Sequence, residues 1–85
     1  MAYTVEFSSG ADREFRKLAR EIQLRLRPRI DALAGEPRPP GAKKLKGGDE
    51  LWRIRVGDYR IVYEVRDRIL VILIVRVAHR REVNR

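Results

Sequence analysis

The chain has 85 residues, 44% apolar and 38% charged, and its 20 Lys and Arg against 12 Asp and Glu give a formal charge of +8. That is enough apolar material for one small basic domain. Cysteine is absent, His79 is the only histidine, and the aliphatic hydroxyls are Thr4, Ser8 and Ser9; this excludes disulfides, zinc fingers and cysteine nucleophiles, and argues against a Ser–His triad.

Tyr3, Val5 and Phe7 alternate with Thr4, Glu6 and Ser8, the period of a half-buried strand. Ser8 or Ser9 then supplies a helix cap, and Asp12 and Glu14 fall in the first turn, where negative charge suits the dipole. Ala11, Phe15, Leu18, Ile22, Leu26, Ile30 and Leu33 recur at spacings of three and four, so a helical region of about two dozen residues is predicted. Pro28 lacks an N–H and its ring clashes one turn back. The region is therefore expected to kink or divide into a helical hairpin, near Arg20 or before Pro28. Gly35 to Gly41, with Pro37, Pro39 and Pro40, stops any helix and reads as a stiff surface connection.

Three strands are predicted next. Trp52, Ile54 and Val56 alternate with Arg53 and Arg55; Gly57-Asp58 is a turn; Tyr59, Ile61, Tyr63 and Val65 alternate with Arg60, Val62 and Glu64. Asp67 begins a second turn, and Ile69 to Val75 reads as a strand covered on both faces. At seven residues that run is far short of the roughly 20 of a membrane helix. The N-terminus carries no basic segment followed by an apolar stretch, so a cytoplasmic location is the expectation. Strand, helices, then strands joined by tight turns make an α+β fold, a largely antiparallel sheet with the helices on one face, in one domain spanning residues 1–85.

Sixteen of the twenty cations are Arg, whose planar fork suits phosphate and carboxylate, so a polyanionic partner is the first expectation. Residues 43–85 carry twelve basic and six acidic side chains, a surplus of six of the total eight. A two-residue loop at Gly57-Asp58 sets Val56 opposite Tyr59, Arg55 opposite Arg60 and Arg53 opposite Val62. Arg53, Arg55 and Arg60 then share the face away from the helices, with two like charges opposed, which normally weakens a strand pair. A bound anion would relieve it. The plainer reading is a solvated surface partly neutralised by Glu64. Lys44 and Lys46 before the hairpin, with Arg80 and Arg81 at the end, extend a phosphate track. His79 is of the one side-chain type whose unperturbed pKa lies near neutrality, and Glu82 lies three residues on, so it is a candidate acid or base; a lone histidine is also commonly structural. Trp52, Tyr59 and Tyr63 can stack bases if exposed, but their phase with Ile54 and Ile61 assigns them to the core. A cation cluster without a metal site suits RNA cleavage by its own 2′-hydroxyl, where the substrate brings the nucleophile and the protein stabilises the pentavalent phosphate.

The run Leu45-Lys46-Gly47, the block Leu51 to Val65 and the ending Val77-Ala78-His79-Arg80-Arg81-Glu82-Val83 resemble the RelE/ParE toxin superfamily over nearly the whole chain. The resemblance implies the toxin of a type II toxin–antitoxin pair, held inactive by a cognate antitoxin, with no cofactor and no membrane partner. In the RelE branch such a toxin enters the ribosomal A site and cuts mRNA, an endoribonuclease activity that arrests translation and growth. On that branch Arg53, Arg55, Arg60 and Arg80 take the catalytic arginine positions and His79 the acid or base position. Lys44, Lys46, Arg81 and Asn84 would hold substrate. The family's C-terminal tyrosine is replaced here by Asn84, which has no proton to exchange near neutral pH and no ring to stack. The ParE branch shares the fold but inhibits DNA gyrase by binding, and is the alternative, together with a catalytically weak member of the fold.

Overall fold

The computed structural model describes residues 2–46 and 50–79. Strand β1 (Thr4–Phe7) leads into helices α1 (Ser9–Arg16) and α2 (Arg20–Ala32), followed by strands β2 (Lys43–Lys44), β3 (Leu51–Val56), β4 (Tyr59–Arg66) and β5 (Val71–His79). The five strands form one sheet in the order β1-β5-β4-β3-β2, with β1 parallel to β5 and the other pairs antiparallel. The α+β expectation holds; the two-residue β2 adds a strand to the three expected after the helices.

Ser8 caps α1, its hydroxyl accepting the Ala11 N–H at 3.1 Å. The helical region divides at Lys17 to Ala19, where the Gln23 amide donates to the Leu18 carbonyl at 2.9 Å and the Arg16 carbonyl at 3.3 Å, covering the end of α1. Of the two alternative positions expected for the break, the one near Arg20 is realised, and α2 runs through Pro28. The carbonyl that Pro28 leaves unbonded belongs to Leu24, whose side chain is 62% exposed, on a stretch where water can take the orphaned acceptor.

Ala11, Leu26, Ile30 and Leu33 from the helices pack on Ile54, Val56, Ile61, Tyr63, Val65, Ile72, Ile74 and Val77 from the sheet. Each fully buried aliphatic side chain contributes roughly 1.5–3 kcal/mol. The aromatic expectation also holds: Tyr63 is fully buried, and Trp52 and Tyr59 pack against the core. Strand β5 differs from its prediction. Ile69 lies in the preceding turn, 62% exposed, and a bulge opposite Val62 and Tyr63 skips Val75, so that Ile72 and Ile74 face the helices before it and Val77 after it.

Candidate functional site

The hairpin that carries the site has the predicted register: Val56 faces Tyr59, Arg55 faces Arg60 and Arg53 faces Val62. Gly57 makes this possible with φ 60°, while Asp58 stays at negative φ, the pattern of a type II′ hairpin turn. Because Ile54, Val56, Ile61, Tyr63 and Val65 fill the helix-facing side, the alternate positions Arg53, Arg55 and Arg60 share the outer face. Lys43 lies directly across from Arg53 on the other side and extends the same row.

Among the described residues, Arg53, Arg55 and Arg60 take part in none of the ion pairs, and Glu64 is engaged by Arg66 instead. The buried Arg60 Nε has no hydrogen-bond partner among the described residues. The Arg53 guanidinium is held below the ordinary arginine value, first by burial and then by the positive charges of Arg55 and Arg60. Arg76, on the neighbouring strand, is paired with Glu14 at 3.2 Å and is not part of the free set. The arrangement concentrates positive charge on the outer face of the hairpin.

The other predicted residues that are described, His79, Lys44 and Lys46, separate from it. His79 pairs with Tyr59 across β4 and β5, and their rings meet edge to face with centroids 5.4 Å apart. Tyr59 shares the helix-facing phase of Ile61, whereas Arg60 lies opposite Ala78, so the register sets His79 and the arginine cluster on opposite faces of the sheet. Lys44 pairs with Trp52 and takes the face opposite to Arg53; Lys46 is exposed beyond β2. Arg80, Arg81, Glu82 and Asn84 lie outside the described residues.

Two residues near the site, Arg29 and Lys43, were not anticipated. A groove of about 310 Å³ at the edge of β3 is lined by Arg29, Pro40, Gly41, Lys43, Arg53, Ile54 and Arg55. Arg29 comes from α2, and no periodicity in the sequence relates it to the hairpin. A wider hollow of about 670 Å³ lies at the opposite end of β4, where Glu50, Glu64 and Asp67 mix with Arg66 and Arg68. Its mixed charge does not suit a polyanion, and the arginine face is the better candidate.

The comparisons agree with this architecture. Residues 5–84 match the family described as ParE toxin of type II toxin-antitoxin system, parDE. The mRNA interferase toxin RelE of Escherichia coli K12 is 32% identical over 82 residues, covering 94% of this chain and 85% of that protein. Among solved structures, an E. coli RelE carrying two arginine-to-alanine changes, in the free state, superimposes with a TM-score of 0.83 at 28% identity, covering 99% of this chain and 90% of that one. The RelE–RelB complex of Pyrococcus horikoshii gives a TM-score of 0.81 at 30% identity, covering 94% and 97%. Matched from its first strand to its C-terminal end and sharing the fold of the RelE structures, the chain belongs to the RelE/ParE superfamily of type II toxins.

Proposed function

We propose that the chain is an mRNA interferase: a toxin that cleaves mRNA on the ribosome and is held inactive by a cognate antitoxin. The observation that carries this reading is the set of three guanidinium groups on adjoining strands, Arg53, Arg55 and Arg60, with no carboxylate partner among the described residues. The relatives support it: the E. coli protein is named an mRNA interferase toxin, and the Pyrococcus protein is held in a complex with RelB.

In the proposed reaction the substrate's 2′-oxygen attacks the adjacent phosphorus and loses its proton. The bond from phosphorus to the 5′-oxygen breaks, and that oxygen takes up a proton, leaving a cyclic phosphate and a 5′-hydroxyl. Negative charge on the phosphoryl oxygens peaks midway, and fixed cations lower the barrier in proportion to that added charge. Removing one such group characteristically costs about 10²–10³ in rate. His79 has no place in this scheme, since the register directs it away from the arginines; proton transfer is left to water, the ribosome or the C-terminal residues.

The test is a translation extract supplied with purified protein. Cuts in mRNA at ribosome-positioned codons, lost in Arg60→Ala while antitoxin binding persists, are the expected outcome. The family description as ParE gives a second reading, gyrase inhibition. Intact mRNA together with blocked DNA supercoiling would establish that reading in place of the first.

A further inference from the structure

We propose that the groove at the open edge of β3 is a second phosphate subsite, holding a neighbouring phosphodiester of the RNA strand whose scissile phosphate lies over Arg53, Arg55 and Arg60. The assignment rests on the nuclease reading and adds to it the path of the strand. β2 pairs with β3 only through Lys43 and Lys44, so no described strand covers β3 on that side beyond Arg53. Where β2 would continue, the chain turns instead. The Ala42 N–H donates to the Pro39 carbonyl at 2.9 Å and Gly41 takes φ 91°, the form of a type II turn with Pro at its second and Gly at its third position. A Cβ on Gly41 would meet nothing within 4 Å, so the space beside the turn is open.

Four cations, Arg29, Lys43, Arg53 and Arg55, line this groove, and among the described residues no carboxylate does. None of the four has an ion-pair partner among the described residues; the nearby Asp31 is engaged by Arg27 at 3.2 Å. The C-terminal dipole of α2 gives Arg29 an ordinary reason for its position. Lys43 has no such reason, because it faces Arg53 across the strand pair, and like charges so placed cost stability. The groove shares Arg53 and Arg55 with the outer-face cluster, making the two anion positions contiguous. A polynucleotide, with one charge per residue on a continuous backbone, can occupy both without a break. Its volume of about 310 Å³ is at the small end of ligand sites, suited to a phosphate with its sugar.

The probe is an uncleavable 2′-O-methyl hexanucleotide, titrated against the full chain by fluorescence anisotropy over a salt series. Lys43→Ala and Arg29→Ala should each weaken binding several-fold and lower the salt slope by about 0.7, the value for one neutralised phosphate of a single strand. Lys17→Ala, which removes an equal charge from the end of α1, should change the affinity less than twofold. Equal losses in Lys43→Ala and Lys17→Ala, or no loss in Lys43→Ala, would overturn the subsite. Displacement of the oligonucleotide by poly-glutamate at matched charge would overturn its assignment to a polynucleotide. Should wild-type protein bind the probe with this pattern yet leave ribosome-bound mRNA intact, the subsite stands and the nuclease reading falls. If mRNA is cut and Lys43→Ala neither weakens binding nor slows cutting, the subsite alone falls.

Discussion

The carboxylate of Glu14 on α1 accepts the backbone N–H of Val77 at 2.8 Å, and its second oxygen receives Arg76 Nε at 3.2 Å. Pairing of β1 with β5 ends at Ile74, so β5 outruns its neighbour just where the bulge occurs. Glu14 takes the role of the missing strand and fixes α1 against the sheet. Glu14→Ala would leave a part-buried N–H unsatisfied, costing about 1–3 kcal/mol. In a domain of this size each 1 kcal/mol lowers Tm by about 4–8 °C. Glu14→Gln keeps an acceptor and should lose less than half as much in thermal melting. An equal loss in both variants would assign the effect to charge rather than to the hydrogen bond.

Tyr63 is buried, and its hydroxyl donates to the Pro37 carbonyl at 2.7 Å, tying the proline-rich connection to the sheet. Burial pushes the phenol up to about 12, against a small opposing effect of Arg38. Because the folded value exceeds the unfolded value of about 10, the stabilisation is complete below pH 10 and is lost as pH rises toward 12. Tyr63→Phe should cost about 1 kcal/mol at neutral pH and flatten the alkaline limb of the melting curve. An alkaline limb unchanged by Tyr63→Phe would show that another group controls it.

Arg38 holds the same connection from the outside, with Nη2 2.9 Å from Glu50 and 3.0 Å from Asp67 and its guanidinium carbon 5.3 Å from the centre of the Trp52 ring. The hydrogen bond from Arg38, followed by that from Tyr3, holds the Asp67 carboxyl below its usual range. That contribution is present above the unfolded carboxylate value of about 3.9 and is lost as pH falls through the folded value. Each bridge is partly exposed and worth little alone, but the cation's position over the ring adds to them. Arg38→Gln should lower Tm by about 4–8 °C. Asp67→Asn should remove part of the acid limb below about pH 4, measured as the difference in Tm between pH 7 and acid.

Much of the arginine face was legible because a two-residue turn fixes the register of the strands beside it. With Gly57-Asp58 as the loop, the opposition of Arg55 and Arg60 and the burial of Ile54 and Ile61 follow from alternation alone. Alternation alone would misplace His79. Continuing the phase of Ile72 and Ile74 sets residues 77 and 79 outward, but the residue skipped at Val75 reverses the phase and turns both toward the helices. Nothing in an uninterrupted apolar run marks where one residue is left out. Lys43 was illegible for a related reason: the irregular connection between β2 and β3 carries no register, so the choice between Lys43 and Lys44 had no parity to settle it. Of the two break positions the sequence offered, Arg20 and Pro28, local sterics alone could not choose, since proline disfavours a helix interior without forbidding it.

The opposition of Arg55 and Arg60 makes stability and activity separable. Two guanidinium groups facing each other on neighbouring strands cost roughly 0.2–1 kcal/mol, and an opposite-charge pair gains a similar amount. Arg55→Glu converts the first case into the second and supplies the Arg60 guanidinium with a partner, so Tm should rise by a few degrees. The same change inserts a negative charge where the phosphate would sit and removes one of its cations, so mRNA cutting should fall by at least the 10²–10³ typical of one lost stabilising group. Melting and cleavage are measured on the same preparation. A variant that is more stable and inactive fits a face kept cationic for its ligand, as expected where a binding surface is maintained against the fold's own stability. A variant that is more stable and fully active would mean that the arginines are ordinary solvated surface and that the chemistry lies elsewhere on the chain.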